Sequence, residues 1–287
     1  MLAGTPISVE YFPPNTEQGQ RSLLRTSGQL AAIHPEYFSI TYGAGGSTKD
    51  RTFAAVSNLL DAGYQVAPHL SFGGSSDEEI EQLIQRYRAL GIRRIVALRG
   101  DVPSGIGSAS HLRYALELVQ YLRKHHGDFF HIEVAAYPEV HPDAHTPAGD
   151  LQHFEEKVAA GADGALTQFF YNADAYFDFC ERAAKRGIRV PIVPGIMPIT
   201  NHDNLVCIAL KCGAEIPRWI KRGLEAHRDD EDAMRDFGAD VVAKLCERLV
   251  AGGAPGLHFC ALNQAPATLA ICERLGLIPT SRQPASA

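Results

Sequence analysis

Four polar side chains occur where apolar, strand-like runs of this sequence end, and each could take part in acid–base chemistry or ligand recognition. Glu10 lies within the apolar run 7–12, where burial of an unpaired carboxylate would raise its pKa, and this predicts a general acid. Asp101 follows an arginine and a glycine at the end of another run, where the backbone can approach a ligand closely. His69 and Gln168 end two further runs, and the Gln168 amide can both donate to and accept from a heterocycle.

Three of these positions also have a purely structural interpretation. Glu10 could belong to an ion pair or to a solvent-facing strand edge, although strands of a parallel barrel are covered on both faces. Asp101 could close a turn through a local ion pair. Gln168 could be a buried amide whose hydrogen bonds are satisfied within the protein.

The motifs of several common reaction classes are missing from the sequence. There is no GxSxG elbow, P-loop, HExxH helix or CxxC pair. His69, His141 and His145 have spacings that suggest a metal, but no further ligands accompany them, so no metal is expected. The segment 41–46 offers small residues and exposed amides to a flat ligand, yet it is not a GxGxxG motif. Acid-assisted cofactor chemistry is the class that remains.

Composition and charge favour small-molecule partners. The 287 residues are 45% hydrophobic and 21% charged, which is enough apolar material for a large core. The net charge of −6 and the absence of a Lys/Arg cluster argue against a nucleic-acid partner. No apolar run approaches the ~20 residues of a membrane span, and the first residues lack a signal-peptide pattern. We therefore expect a cytoplasmic protein without a membrane partner.

Short runs rich in β-branched and aromatic residues alternate with helical patterns along the whole chain, which predicts a parallel sheet. Eight strands are predicted, at residues 7–12, 37–42, 65–70, 94–99, 132–137, 164–169, 191–196 and 256–262. Helices are predicted at residues 16–32, 50–62, 76–90, 110–125, 150–160, 174–186, 201–251 and 265–275. Eight βα units favour an α/β (β/α)8 TIM barrel at residues 1–278, with 279–287 as a tail; an open doubly wound sheet is the alternative.

Six segments of the sequence, taken in order, closely resemble the methylenetetrahydrofolate reductase family. They are VEYFPP (9–14), SITYGA (39–44), APHL (67–70), ALRGD (97–101), VAAYPEVHP (134–142) and TQFF (167–170). The resemblance runs from about Ser8 to Leu277. It implies a barrel that binds FAD, takes hydride from NADH or NADPH, and reduces 5,10-methylenetetrahydrofolate to 5-methyltetrahydrofolate in a ping-pong sequence.

The resemblance also implies roles for individual residues. Glu10 would be the general acid that opens the folate ring, and Asp101 would tune the flavin and help to bind folate. Gln168 and Gln264 would contact the substrate. The implied cofactor-binding positions are Thr41, Tyr42, Ala44, His69, Arg99, Gly100, Asp101, Tyr114, Ala115, Tyr137, His141, Asp150 and Lys157.

Four positions depart from the family pattern. Gln264 stands where an arginine is common, Cys260 replaces a tyrosine, Ile208 replaces a phenylalanine, and Glu156 replaces an arginine beside Lys157. Two of these changes remove positive charge, so weaker contacts to folate and to the FAD phosphates are expected.

Further expectations follow from the family pattern. The chain stops after the barrel, so allosteric control is not expected and NADH is the expected donor; a homo-oligomer is also expected. The alternatives are a flavin barrel acting on another substrate, such as a proline-dehydrogenase-like enzyme, and a non-catalytic flavin- or folate-binding subunit.

Overall fold

A computed structural model of the protein describes residues 2, 4–42, 46–73, 75–99 and 114–278. Nine parallel strands form one sheet in the order β7-β6-β5-β4-β3-β2-β1-β9-β8. They are β1 (Ile7–Tyr11), β2 (Tyr37–Ile40), β3 (Val66–Leu70), β4 (Arg94–Ala97), β5 (His131–Ala136), β6 (Gly164–Thr167), β7 (Ile192–Val193), β8 (Gly195–Ile196) and β9 (Leu257–Cys260).

The predicted seventh strand is interrupted, and this interruption explains why nine strands make an eight-membered barrel. β7 pairs with β6 and β8 pairs with β9, while only Pro194 separates β7 from β8. Proline has no N–H to donate to a ladder. Its carbonyl still accepts from the backbone N–H of His258 at 3.0 Å, so the nearly closed ring passes through this point. The predicted (β/α)8 fold is confirmed.

Helices follow the strands on the outside of the ring. They are α1 (Glu17–Leu30), α2 (Gly46–Asp61), α3 (Asp77–Ala89), α4 (Ala115–His126), α5 (Pro147–Ala159), α6 (Ala173–Lys185), α7 (His202–Cys212), α8 (Arg218–Ala226), α9 (Glu231–Ala251) and α10 (Pro266–Arg274). The prediction of one helical stretch at 201–251 is wrong in detail. Gly213, with φ of 70°, ends α7 in the left-handed conformation, and a second break separates α8 from α9.

The alternation of side chains along the strands creates two separate interiors. Outward-facing residues such as Val9 and Tyr11 join the helices in the main apolar core. Inside the ring lies a small apolar cluster of Tyr37, Ala67, Val96 and Leu166. Bulky branched residues usually fill such a ring. Here the ring also encloses buried polar side chains, namely Ser8, Ser39, His69, Glu133 and His258.

No helix of the described part of the chain is long and apolar enough to cross a membrane.

Candidate functional site

Glu10 projects into the ring near the C-terminal ends of the strands. Its side chain is 20% exposed, and its Oε2 lies 3.5 Å from His69 Nε2 and 3.6 Å from His258 Nε2. His258 also contacts the Ser8 hydroxyl through Nδ1, at 2.7 Å. The carboxylate is therefore held between two buried imidazoles supplied by β3 and β9.

The prediction of a raised pKa for Glu10 is wrong. Burial does raise the pKa of this carboxyl, but the contact with His258 and the proximity of His69 outweigh burial and lower it below its usual value. Burial also lowers the pKa of His69 to about 4, so that imidazole is neutral near pH 7. Glu10 is accordingly ionised at rest and must take up a proton before it can act as an acid.

A cavity of about 1170 Å³ opens beside the strand ends. Most of the described positions proposed for a cofactor line it, although they are far apart in sequence; these are Tyr42, Arg99, Tyr114, Ala115, Tyr137, His141, Asp150 and Lys157. Thr41 and His69 do not line it. Ala44, Gly100 and Asp101 lie outside the described residues.

Helix α5 begins beside this cavity and positions two of its charged groups. Thr146 caps the helix by accepting from the backbone N–H of Gly149 at 3.0 Å, with a proline in the first turn. Asp150, in the same turn, accepts from the backbone N–H of His141 at 3.1 Å. The loop after β5 is thereby fixed to the start of α5.

Lys157 brings a positive charge into the cavity wall from the last turn of α5. Its Nζ donates to the backbone carbonyl of Ala135 at 2.6 Å. Burial lowers the pKa of Lys157 to about 8, while nearby Asp150 partly offsets that effect. Arg99 adds a second cation, paired through Nη2 with Asp143 at 2.5 Å. The wall can therefore meet an anionic group with one partly buried and one exposed positive charge.

Glu156 also lines the cavity, so the charge reversal noted in the sequence does fall beside the ligand space. Its carboxylate accepts from Gln152 Nε2 at 3.0 Å and lies 3.3 Å from His153 Nδ1. These contacts lower the pKa of Glu156. The carboxylate is partly exposed and held by neighbours on its own helix, which lessens its repulsion of a bound anion.

A second, smaller cavity of about 320 Å³ brings together three of the four departures from the family pattern. Ile208, Cys260 and Gln264 all line it, together with Phe12 from the end of β1. Asn263 shapes its edge, because its side chain accepts from Phe12 N at 2.8 Å and donates to Phe12 O at 2.9 Å. Leu262 and Asn263 adopt positive φ angles of 51° and 58° in this turn.

Gln168 lines neither of these two cavities. Its side-chain carbonyl accepts from the backbone N–H of Phe169 at 3.0 Å, which leaves its NH₂ group as the donor for other partners. Ser8, Asn263 and His258 were missed by the sequence reasoning. His258 carries the same signal that identified Glu10, a polar residue inside an apolar strand run.

The fold and these cavities define a parallel α/β barrel with a partly buried acid–base group at its ligand-binding end. The model of the family Methylenetetrahydrofolate reductase matches residues 3–276. The chain belongs to this family, and it is an oxidoreductase enzyme.

Named relatives extend over nearly the whole chain. It is 37% identical to the 5,10-methylenetetrahydrofolate reductases of Pectobacterium carotovorum subsp. carotovorum and of Escherichia coli (strain K12), over 95% of this chain and 91% of each relative. It is also 37% identical to a rice protein named probable methylenetetrahydrofolate reductase (NADH), of which it spans 49%.

Two solved structures share the fold. A protein from Clostridium thermocellum described as binding two copies of 5-methyl-5,6,7,8-tetrahydrofolic acid superimposes with a TM-score of 0.64 at 18% identity, over 95% of this chain and 93% of that one. A dihydropteroate synthase from Xanthomonas albilineans gives a TM-score of 0.52 at 13% identity, over 96% and 92%. At these identities the likeness shows the barrel alone.

Proposed function

We propose that this protein reduces 5,10-methylenetetrahydrofolate to 5-methyltetrahydrofolate, with FAD as cofactor and NADH or NADPH as hydride donor. One observation carries the proposal: in a member of this family, a partly buried glutamate with two buried imidazole neighbours stands at the ligand-binding end of the barrel. The names of the bacterial relatives support the folate substrate, and the names of plant relatives support a nicotinamide donor.

The large cavity suits a dinucleotide cofactor. Lys157 and Arg99 would hold the pyrophosphate, while Tyr137, His141 and Asp150 would contact the rest of the FAD molecule. The two cations favour this, because a buried ammonium that meets a phosphate recovers part of its lost hydration energy. When bound, FAD supplies the two-electron acceptor that takes hydride from the nicotinamide and gives it to the folate carbon.

Glu10 would act on the folate rather than on the cofactor. Bound folate would exclude water and bring a basic nitrogen to the carboxyl, so that Glu10 takes up a proton and passes it to that nitrogen. The five-membered folate ring then opens to an iminium, which accepts hydride at its methylene carbon. Each turnover therefore consumes one proton as well as one hydride.

The rest of the folate would lie between the two cavities. Gln168, Gln264 and Asp101 are the proposed contacts. Gln264 lines the smaller cavity beside Phe12, where an amide can donate and accept but supplies no charge. Because Ile208 and Cys260 line the same cavity, a flavin enzyme with a different substrate, such as proline, is the second candidate.

The anaerobic visible spectrum of the purified protein, supplemented with FAD, separates these candidates. We expect NADH to bleach the flavin band and 5,10-methylenetetrahydrofolate to restore it. Bleaching by proline, with no recovery on adding the folate, would support the second candidate. A protein that FAD cannot reconstitute would contradict both and would leave a non-catalytic role.

A further inference from the structure

A line of polar side chains runs through the inside of the barrel, away from the ligand cavities. It begins at Glu10 and His258 and continues through Ser8, Tyr37 and Glu133. Apart from Glu10, which is 20% exposed, these side chains are buried. Because barrel interiors are normally filled with branched aliphatic residues, and buried polar groups are costly unless paired, a line of this length calls for a function.

Adjacent members of the line are in contact. His258 Nε2 lies 3.6 Å from Glu10 Oε2, slightly beyond hydrogen-bond length, and His258 Nδ1 lies 2.7 Å from Ser8 Oγ. Ser8 and Tyr37 stand opposite each other in the β1–β2 register, and the Ser8 hydroxyl is close enough to offset part of the rise that burial causes in the pKa of Tyr37. The Tyr37 hydroxyl donates to Glu133 Oε2 at 2.9 Å.

The line reaches solvent at the opposite end of the barrel. Glu133 pairs with Arg94 and lies 3.5 Å from His131 Nε2. Arg94 and His131 are the first residues of β4 and β5, and their side chains are 32% and 40% exposed. A partly exposed imidazole is suited to exchange protons with bulk water.

We propose that Glu133, Tyr37, Ser8 and His258 form a proton route that reprotonates Glu10 from the N-terminal face of the barrel. The inference rests on the proposed function, because that reaction removes one proton from Glu10 in every turnover. With folate and flavin covering the C-terminal end, a second entrance would allow the proton to be replaced without release of the ligands.

The directions of the hydrogen bonds determine when a proton can move along the route. At rest the Ser8 hydroxyl donates to His258 Nδ1, the Nε2–H of His258 faces ionised Glu10, and the Tyr37 hydroxyl donates to ionised Glu133. Neither hydroxyl then has a hydrogen left for the Ser8–Tyr37 contact. Once Glu133 has taken a proton from His131, its carboxyl can donate to the Tyr37 hydroxyl, and the Tyr37 hydroxyl can then donate to Ser8. A concerted shift along these hydrogen bonds passes a proton from Ser8 to His258 Nδ1 and from His258 Nε2 to Glu10.

The charged groups around the line are consistent with this direction. Burial raises the pKa of Glu133, but its contacts with His131, Arg94 and Tyr37 lower that pKa overall. A protonated Glu133 therefore gives up its proton readily. Burial raises the pKa of Tyr37, which disfavours a free tyrosinate and favours a concerted shift. His69 faces Glu10 from β3, with Nε2 3.5 Å from Glu10 Oε2. Its other ring nitrogen, Nδ1, has no hydrogen-bond partner among the described residues, whereas His258 Nδ1 contacts Ser8, so the route continues only through His258.

The test compares Tyr37→Phe with Tyr87→Phe. The first change removes the central hydroxyl of the route and keeps the ring. The second removes a buried hydroxyl on α3 that has no hydrogen-bond partner among the described residues. Rapid-mixing experiments would follow flavin reduction by NADH and flavin reoxidation by saturating methylenetetrahydrofolate, from pH 6 to 9, in H₂O and in D₂O.

We expect Tyr37→Phe to slow reoxidation by at least about tenfold above pH 7, with an altered pH profile and solvent isotope effect, while reduction by NADH is unchanged. Tyr87→Phe should match the wild type in both steps. Identical pH profiles and isotope effects in Tyr37→Phe and the wild type would overturn the route. If Tyr37→Phe does not fold, Ser8→Ala breaks the next link and gives the same comparison.

A measurement without turnover checks the direction in which the hydrogen bonds of the line run. In ¹⁵N-histidine NMR spectra we expect His258 to carry its proton on Nε2, in the wild type and in Tyr37→Phe alike. A proton on Nδ1 in the wild type would point away from Glu10 and would contradict the route. Failure of the proposed function is distinguishable, since it would appear as a wild-type flavin that folate does not reoxidise.

Discussion

The affinity for FAD should depend on pH through Lys157, a partly buried cation in the wall of the large cavity. The pKa of this side chain is lowered to about 8 by burial, so in the free protein it is mostly charged at pH 7 and mostly neutral at pH 9. A pyrophosphate beside it would favour the charged form and raise the pKa again. FAD binding and proton uptake are then linked.

The magnitude follows from the pKa. The charged fraction of Lys157 in the free protein falls from about 0.9 at pH 7 to about 0.09 at pH 9. If FAD binds only the charged form, its dissociation constant rises about tenfold between these pH values, or about 1.4 kcal/mol. Titration of the apoprotein with FAD at pH 7, 8 and 9, followed by flavin fluorescence, measures this rise.

Two variants make the test specific. Lys157→Met should bind FAD more weakly at pH 7 and lose most of the pH dependence. Lys185→Met, which changes an exposed lysine paired with Glu181 on α6, should keep the wild-type profile. A wild-type dissociation constant that is flat from pH 7 to 9, or a Lys157→Met profile as steep as that of the wild type, would refute the reasoning.

The same shift has a consequence for the stability of the apoprotein. Because the pKa of Lys157 is lower in the folded state, the unfolded chain binds more protons between pH 8 and about 10.5. The contribution of this group to the free energy of unfolding therefore rises with pH in that window. The difference between the wild type and Lys157→Met, measured by urea denaturation, should show this rise.

Three further changes test the site and the barrel. Glu10→Gln should leave the flavin reducible by NADH and abolish its reoxidation by folate in anaerobic rapid mixing; undiminished folate turnover would exclude the general-acid role. Arg123→Ala should lower the free energy of unfolding, measured by urea titration, by about 3 kcal/mol, because the Arg123 guanidinium binds three backbone carbonyls and Asp163. The control, Arg235→Ala at an exposed ion pair, should change that free energy by less than about 0.5 kcal/mol. Gly195→Ala should lower the free energy of unfolding by about 2 kcal/mol or more in thermal unfolding, since a Cβ would lie 2.2 Å from a backbone oxygen of β6. A Cβ at Gly28 would meet only the Tyr64 hydroxyl, at 4.0 Å, so Gly28→Ala, the control, should be neutral or stabilising.

The local pattern of residues was sufficient to predict the barrel. In the structure Val9 and Tyr11 lie on one face of β1 and Glu10 on the other, as the period of two of any strand requires. Pro194 in the seventh strand is part of the sequence. The sequence does not show that the two halves of this strand pair with β6 and β9 and so close the ring, because those partners come from distant segments. Likewise the turn at Gly213 was within the sequence, yet the helical periodicity on both sides concealed it.

For the site, the sequence determined which residue types stand at the strand ends. The family resemblance predicted Arg99, Asp150 and Lys157 as cofactor contacts; the structure has all three lining one cavity, and their role toward FAD stays a prediction. The tertiary structure decided what each side chain meets. Glu10 was expected to be unpaired in an apolar strand, but β9 brings His258, 248 positions along the chain, against it, and this contact lowers the pKa that local context was expected to raise. A pKa depends on burial and on charges within a few ångströms, and those neighbours are set only when the barrel closes.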